Sequence, residues 1–332
     1  MMLDVLSSTA RRARLEFHDL SPDLGDFREA LLRGLTARHK AIPCRFLYDA
    51  RGSALFDRIC ELPEYYPTRT ELGILKACAP EIAERAGPAA QMIELGGVNS
   101  SKARILLDAL QAPAAYIPID ISREHLKASV QALGAERPEL EVLAVCADYT
   151  RPLTLPEAPG GGMRLGFFPG STIGNLQPDE ATLFLAAWAR RLGPGSAMVV
   201  GVDLRKDAAI LEPAYDDAQG VTAEFSRNLL VRANRELGAD FDVAAFAHRA
   251  RYDAAHGRIE IHLESLKRQT VTIGKVAIVF GEGERIHTED SYKYSLDGFR
   301  GIARAAGFRP AAVWTDRDRL FSVHWLETTE PL

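Results

Sequence analysis

The chain has 332 residues, 47% of them hydrophobic and 26% charged, with a net charge of −5. This is the composition of an ordinary soluble globular enzyme, with enough apolar material for a sizeable core and a length that suggests roughly two domains. Acidic and basic residues are interleaved without a basic stripe, which argues against nucleic acid, and no apolar run approaches the roughly 20 residues that span a bilayer.

From about residue 70 the pattern alternates between helix and strand. "ELGILKACAPEIAERAG" places Leu72, Leu75, Ala79 and Ile82 at helical spacing, with Gly87 as a stop. A short strand follows at 92–95. The turn after it reads Gly96-Gly97-Val98-Asn99, and a helix then starts at Ser100 or Ser101 as its cap. Further strands are expected at 115–120, 140–148, 164–170 and 196–204. Helices separate them, one capped by Ser122 and one ended by Gly193 and Pro194. The segment 156–163 is a loop. Strands alternating with helices imply a parallel sheet covered on both faces.

After Leu204 the rhythm changes. A mostly helical stretch includes "DDAQGVTAEFSRNLLVRANRELG", and residues 257–280 read as antiparallel strands because Ile259, Ile261 and Leu263 alternate. A helix from Ser295 leads to a strand, a polar turn and a final strand, which form a hairpin on the sheet edge. The expected division is one unit from 70–205 and 286–332 and a second from 1–69 and 206–285.

Ligands of an open α/β sheet sit beyond the carboxyl ends of the strands. Gly96 and Gly97 allow backbone to approach a ligand there, and the next helix offers free N–H groups and the positive end of its dipole. "MIELGGVNSSK" lacks the G-x-G-x-x-G of a dinucleotide turn. Asp120 ends the second strand, where an acid can accept from ribose hydroxyls. Asp148 ends the third and is followed by Tyr149, a pair suited to an adenine amino group and ring face. Taken singly, each acid also fits a simple turn or cap residue.

A glycine turn, acids on two successive strand ends and a terminal hairpin together resemble a class I S-adenosyl-L-methionine (SAM) methyltransferase. That implies an α/β doubly wound sheet with a terminal antiparallel hairpin, plus a second α+β substrate domain. The segments "KAIPCRFLYDARGSALFDRICELPEYYPTRTE", "FFPGSTIGNL", "AYDDAQGVTAEFSRN", "RIEIHLES" and "IHTEDSYKYS" narrow this. Together they resemble the histidine Nα-methyltransferases, which convert histidine to its trimethyl betaine, hercynine, on the route to ergothioneine. The resemblance implies SAM as cofactor, with Gly96 and Lys102 flanking the first turn, Asp120 on the ribose, and Asp148 with Tyr149 on the adenine. It implies a small-molecule amino-acid substrate, with Asn175 and Tyr215 on the carboxylate and Glu289 and Ser291 on the imidazole. Tyr65 and Tyr48 would line the amine as the catalytic residues. Val98 stands where the family shows a second glycine, Ile261 where some members have methionine, and Asp290 is an unusual residue between Glu289 and Ser291. Alternatives are the same chemistry on a tryptophan derivative, or a non-catalytic SAM or amino-acid binder.

Cys44, Cys60, Cys78 and Cys146 form no C-x-x-C pair and read as reduced, packed thiols of a cytoplasmic protein. None of the eight histidines stands at metal-ligand spacing, so no metal is expected. His287 reads as solvent-facing or structural. The opening residues lack a continuous apolar core, so no signal peptide is expected. The sequence does not set the oligomeric state; a monomer is slightly favoured.

Overall fold

A computed structural model describes residues 14–20, 27–96, 101–158 and 160–329. Its strands are β1 (Leu15–Asp19), β2 (Lys40–Ala41), β3 (Gln91–Leu95), β4 (Ala115–Asp120), β5 (Val142–Cys146), β6 (Arg164–Phe168), β7 (Ala197–Asp203), β8 (Phe246–Asp253), β9 (Arg258–Ser265), β10 (Gln269–Ile273), β11 (Val276–Phe280), β12 (Arg285–Tyr292), β13 (Phe308–Thr315) and β14 (Phe321–Thr328). Its α-helices are α1 (Phe27–Thr36), α2 (Ala50–Glu61), α3 (Tyr66–Ala86), α4 (Ser101–Ala109), α5 (Arg123–Glu136), α6 (Pro178–Leu192), α7 (Ala208–Tyr215), α8 (Val221–Leu237) and α9 (Leu296–Ala305).

Eight strands form one sheet in the order β1-β5-β4-β3-β6-β7-β14-β13. The run from β1 to β7 is parallel, and β14 pairs antiparallel with both β7 and β13. Every residue of β5 and β7 is buried, which is why these segments read as unbroken apolar runs rather than alternating ones. Helices cover both faces, giving two apolar cores: Leu106, Leu165 and Trp325 lie in one, Ile117, Trp188 and Phe299 in the other. This is the doubly wound sheet with a terminal hairpin expected from the sequence. Strand order reverses between β3 and β6, so the crevice at their carboxyl ends is the natural ligand site.

A second sheet runs β2-β12-β9-β8, with β10 and β11 as a separate hairpin. Alternate residues of β9 are buried, and Ile259, Ile261 and Leu263 share a core with Leu31 of α1, Leu55 of α2 and Leu229 of α8. The N-terminal segment therefore packs with the insert.

Strand pairing shifts two boundaries drawn from the sequence. β1 falls before residue 70 yet pairs with β5 at the edge of the large sheet. β12 falls after residue 285 yet pairs with β9 and β2 in the small one. Ladder bonds, not chain order, decide membership. Just beyond β12, Tyr294 bridges Leu204 at the end of β7. The Tyr294 N–H donates to the Asp203 carbonyl at 3.1 Å, and the Arg205 N–H to the Tyr294 carbonyl at 3.0 Å. The chain thus crosses between sheets at the carboxyl edge of the large one. Among the described residues no helix is long and apolar enough to cross a membrane.

Candidate active site

The large sheet contributes three strand ends. Gly96 follows β3 with φ +65°, and a Cβ there would sit 3.2 Å from Tyr149 Cε1. Both the backbone conformation and the ring above it require glycine. Gly97, Val98, Asn99 and Ser100 lie outside the described residues. Asp120 ends β4, and its Oδ1 accepts from the Ser122 N–H at 2.7 Å. Asp148 lies just past β5; its Oδ1 accepts from the Thr150 N–H at 2.9 Å and the Thr150 hydroxyl at 2.6 Å. Tyr149 stands edge-on to Phe168 and Phe184, which fixes its ring beside Gly96.

Lys102 points elsewhere than at this crevice alone. Its Nζ lies 2.6 Å from Glu71 Oε2, and Glu71 is fully buried. Both Glu71 oxygens accept from the Gly170 N–H, at 3.0 and 2.9 Å. This ion pair ties α3 and α4 to the loop after β6.

The small sheet contributes β12, where a bulge decides which side chains face inward. His287 opposes His262 and Glu289 opposes Ile261, with the register shifting between them. Neighbouring β9 residues point to opposite faces, so the extra residue Thr288 turns Glu289 away from His287. Glu289, Ser291 and then Lys293 line one face. Asp290 lies on the other, 3.0 Å from His287 Nε2 and 3.3 Å from Arg258 Nη1. Asp290 therefore pairs with His287 and Arg258 on that face.

Four other segments meet this face. Asn175, closing a short 3-10 turn at Thr172–Asn175, stands near Glu289 and acts to lower its carboxyl. Tyr215, the last residue of α7, places its hydroxyl 3.0 Å from Ser291 Oγ. Tyr65 immediately precedes α3, and its ring stands edge-on to Tyr215 with centroids 6.0 Å apart. Tyr48 packs edge-on to Phe56 and Phe225. Burial raises the Tyr48 hydroxyl, and the charge of Glu289 adds to that. Burial also pushes Glu289 up to about 7, against the pull of Lys293, His287 and Asn175.

Behind these residues lies a buried ionic cluster that the sequence did not single out. Asp203 is 2.9 Å from Lys293 Nζ and 2.6 Å from Lys206 Nζ, and the Tyr66 hydroxyl donates to both its oxygens. Burial alone would raise the Asp203 carboxyl; Lys293 and Lys206 overcome this and hold it below the usual range. Burial draws Lys206 down to about 8. The signals were present: Asp203 ends a strand as Asp120 does, and Lys293 follows Glu289 and Ser291 at period two.

A sequence profile described as "Histidine-specific methyltransferase, SAM-dependent" matches residues 27–328. The chain is similar to the histidine N-alpha-methyltransferase of Mycobacterium tuberculosis, 44% identical over 294 residues, covering 87% of this chain and 91% of that protein. Its likeness to the enzyme of the same name from Mycolicibacterium smegmatis is 44% over 297 residues, covering 87% and 92%. Ergothioneine biosynthesis protein 1 of Neurospora crassa is 31% identical over 285 residues, 83% of this chain but 32% of that longer protein.

Proposed function

The chain belongs to the histidine-specific, SAM-dependent methyltransferase family, and we propose that it methylates the α-amino nitrogen of L-histidine three times to give hercynine. One observation carries the substrate assignment. Glu289 and Ser291 share the inward face of β12, with Asn175 near Glu289 and the Tyr215 hydroxyl 3.0 Å from Ser291 Oγ, at the sheet edge that also holds Asp120, Asp148 and Tyr149.

The strand ends suit SAM. Gly96 lets the Tyr149 ring close over the first turn; Asp120 would accept from ribose hydroxyls, and Asp148 and Tyr149 would meet adenine. Lys102 supports the loop after β6 through Glu71. When bound, SAM supplies a methyl group on a positively charged sulfur.

The chain's own residues must then present a bare amine. The aromatic wall of Tyr48, Phe56 and Tyr65 disfavours the charged ammonium and so favours loss of its proton. The same ring faces suit the quaternary product, worth about 0.5–2 kcal/mol for a cation over an aromatic ring. Asn175 and Tyr215 hold the carboxylate, which aligns the nitrogen; alignment of this kind can remove several kcal/mol of barrier. Glu289 accepts from an imidazole N–H, and a side chain without ring nitrogens leaves that buried acid unmatched.

The test is incubation with SAM and each amino acid in turn, read by mass spectrometry. Histidine should gain three methyl groups. Unchanged histidine beside methylation of another amino acid would refute the assignment.

A further inference from the structure

Lys293 is almost wholly buried, at 1% exposure. An ammonium has three protons to donate and no lone pair. Each proton has an acceptor: Asp203 Oδ2 at 2.9 Å, the Tyr215 hydroxyl at 2.6 Å and Ser291 Oγ at 2.7 Å. Those two hydroxyls also lie 3.0 Å from each other. Each accepts from Lys293, and one donates to the other, so the pair has a single O–H left to direct at a ligand. A carboxylate can only accept. If Tyr215 meets the substrate carboxylate, the outward proton is its own, Ser291 donates to Tyr215, and Ser291 turns a lone pair toward the ring.

We propose that Lys293 is a positioning residue that fixes this polarity, so that histidine binds with one proton shared between its imidazole and Glu289. The inference rests on the histidine reading above. Because Ser291 accepts, the ring nitrogen beside it carries hydrogen. The other ring nitrogen faces Glu289 with one proton between them, as imidazolium with carboxylate or as imidazole with carboxylic acid. Either form holds one proton more than a neutral ring beside an ionised Glu289.

Other groups around Glu289 do not supply that proton. Cys44, Tyr48 and Tyr65 feel its charge from the N-terminal segment, but burial pushes Cys44 up to about 12 and raises both tyrosines further. His287 and Asp290 also act on Glu289, but they bond to each other on the opposite face of β12. Lys206, drawn down to about 8, bonds to Asp203, Tyr66 and the Leu204 carbonyl. Above pH 7 the free ring, with its ordinary value near 6.5, and Glu289 have both largely lost the proton that the complex retains.

The experiment is calorimetric titration of the intact protein with histidine at pH 8, in buffers of different ionisation enthalpy. The wild type should take up about one proton more per histidine bound than Lys293→Met. Its affinity should fall more steeply above pH 7 than the variant's, by up to about tenfold more per pH unit. Titration of the substrate's amino group is common to both proteins and cancels in the difference. Equal proton uptake and parallel pH slopes would overturn the role of Lys293. Failure of the wild type to bind histidine would overturn the histidine reading instead. If Lys293→Met does not fold, Asp203→Asn with Lys293→Met removes that ion pair while Lys206 keeps the Tyr66 hydroxyl and the Leu204 carbonyl, and is read by the same criteria.

Discussion

Gly96, Asp120 and Asp148 reach the proposed cofactor side from β3, β4 and the end of β5, strands adjacent in space and successive along residues 91 to 148. Tyr65, Asn175, Tyr215 and Glu289 reach the proposed substrate side from just before α3, a turn after β6, the end of α7 and β12. The first side uses short turns whose polar groups are satisfied locally, as Asp120 is by Ser122 and Asp148 by Thr150. The second is held by charges buried between segments far apart in the chain. Damage to the first should therefore be local, and damage to the second should spread into stability.

The sharpest way to break this contrast is Asp203→Ala. It leaves Lys293 and Lys206 buried without their shared carboxylate and should cost about 3–5 kcal/mol in chemical denaturation; a loss under about 1 kcal/mol would mean the cluster is not structural. Next is Glu289→Gln. Folding raises the Glu289 carboxyl to about 7, so the wild type should lose stability relative to this variant as pH rises from about 4.5 through about 7. The loss should reach at most about 3 kcal/mol, and denaturation midpoints that run parallel across that window would place Glu289 in water. Its KM for histidine should rise while its affinity for SAM holds.

On the cofactor side, Asp120→Ala should weaken SAM binding by about 1.5–3 kcal/mol in calorimetry and leave melting almost unmoved. Unchanged SAM affinity would remove the ribose role. Gly96→Ala should cost about 1–2 kcal/mol through the positive φ and the Tyr149 ring, read as weaker SAM binding. The smallest effect belongs to Asp290→Asn, within about 0.5 kcal/mol in stability and under twofold in the KM for histidine. A larger KM change would mean that the face assigned by the bulge is wrong.

The contrast also explains what could be read in advance. Apolar strands with glycine or acid at their ends leave a repeating local signature, and five of the six parallel strands, all but β1, and the terminal hairpin stand within a few residues of where pattern alone put them. β8 was missed although Phe246, His248 and Ala250 alternate inward, because charged residues on its outer face masked the run. The bulge at Thr288 leaves no local signature: simple alternation would put His287 and Glu289 together. Lys293 stands only four residues from Glu289, yet it pairs with Asp203, ninety residues away in sequence. Such a pairing depends on where two sheets meet, which no local pattern encodes. Tyr65 and Tyr66 are neighbours in "EYY", but one borders the candidate pocket and the other bonds to Asp203.

The crossing at Leu204 and Tyr294 gives the molecule a pair of built-in reporters. The amides of Tyr294 and Arg205 are sealed by backbone bonds that join one layer to the other. Either layer, by loosening first, would expose them to deuterium. Their exchange rates consequently follow the weaker half, whichever that is, and any ligand that slows them has braced that weaker half.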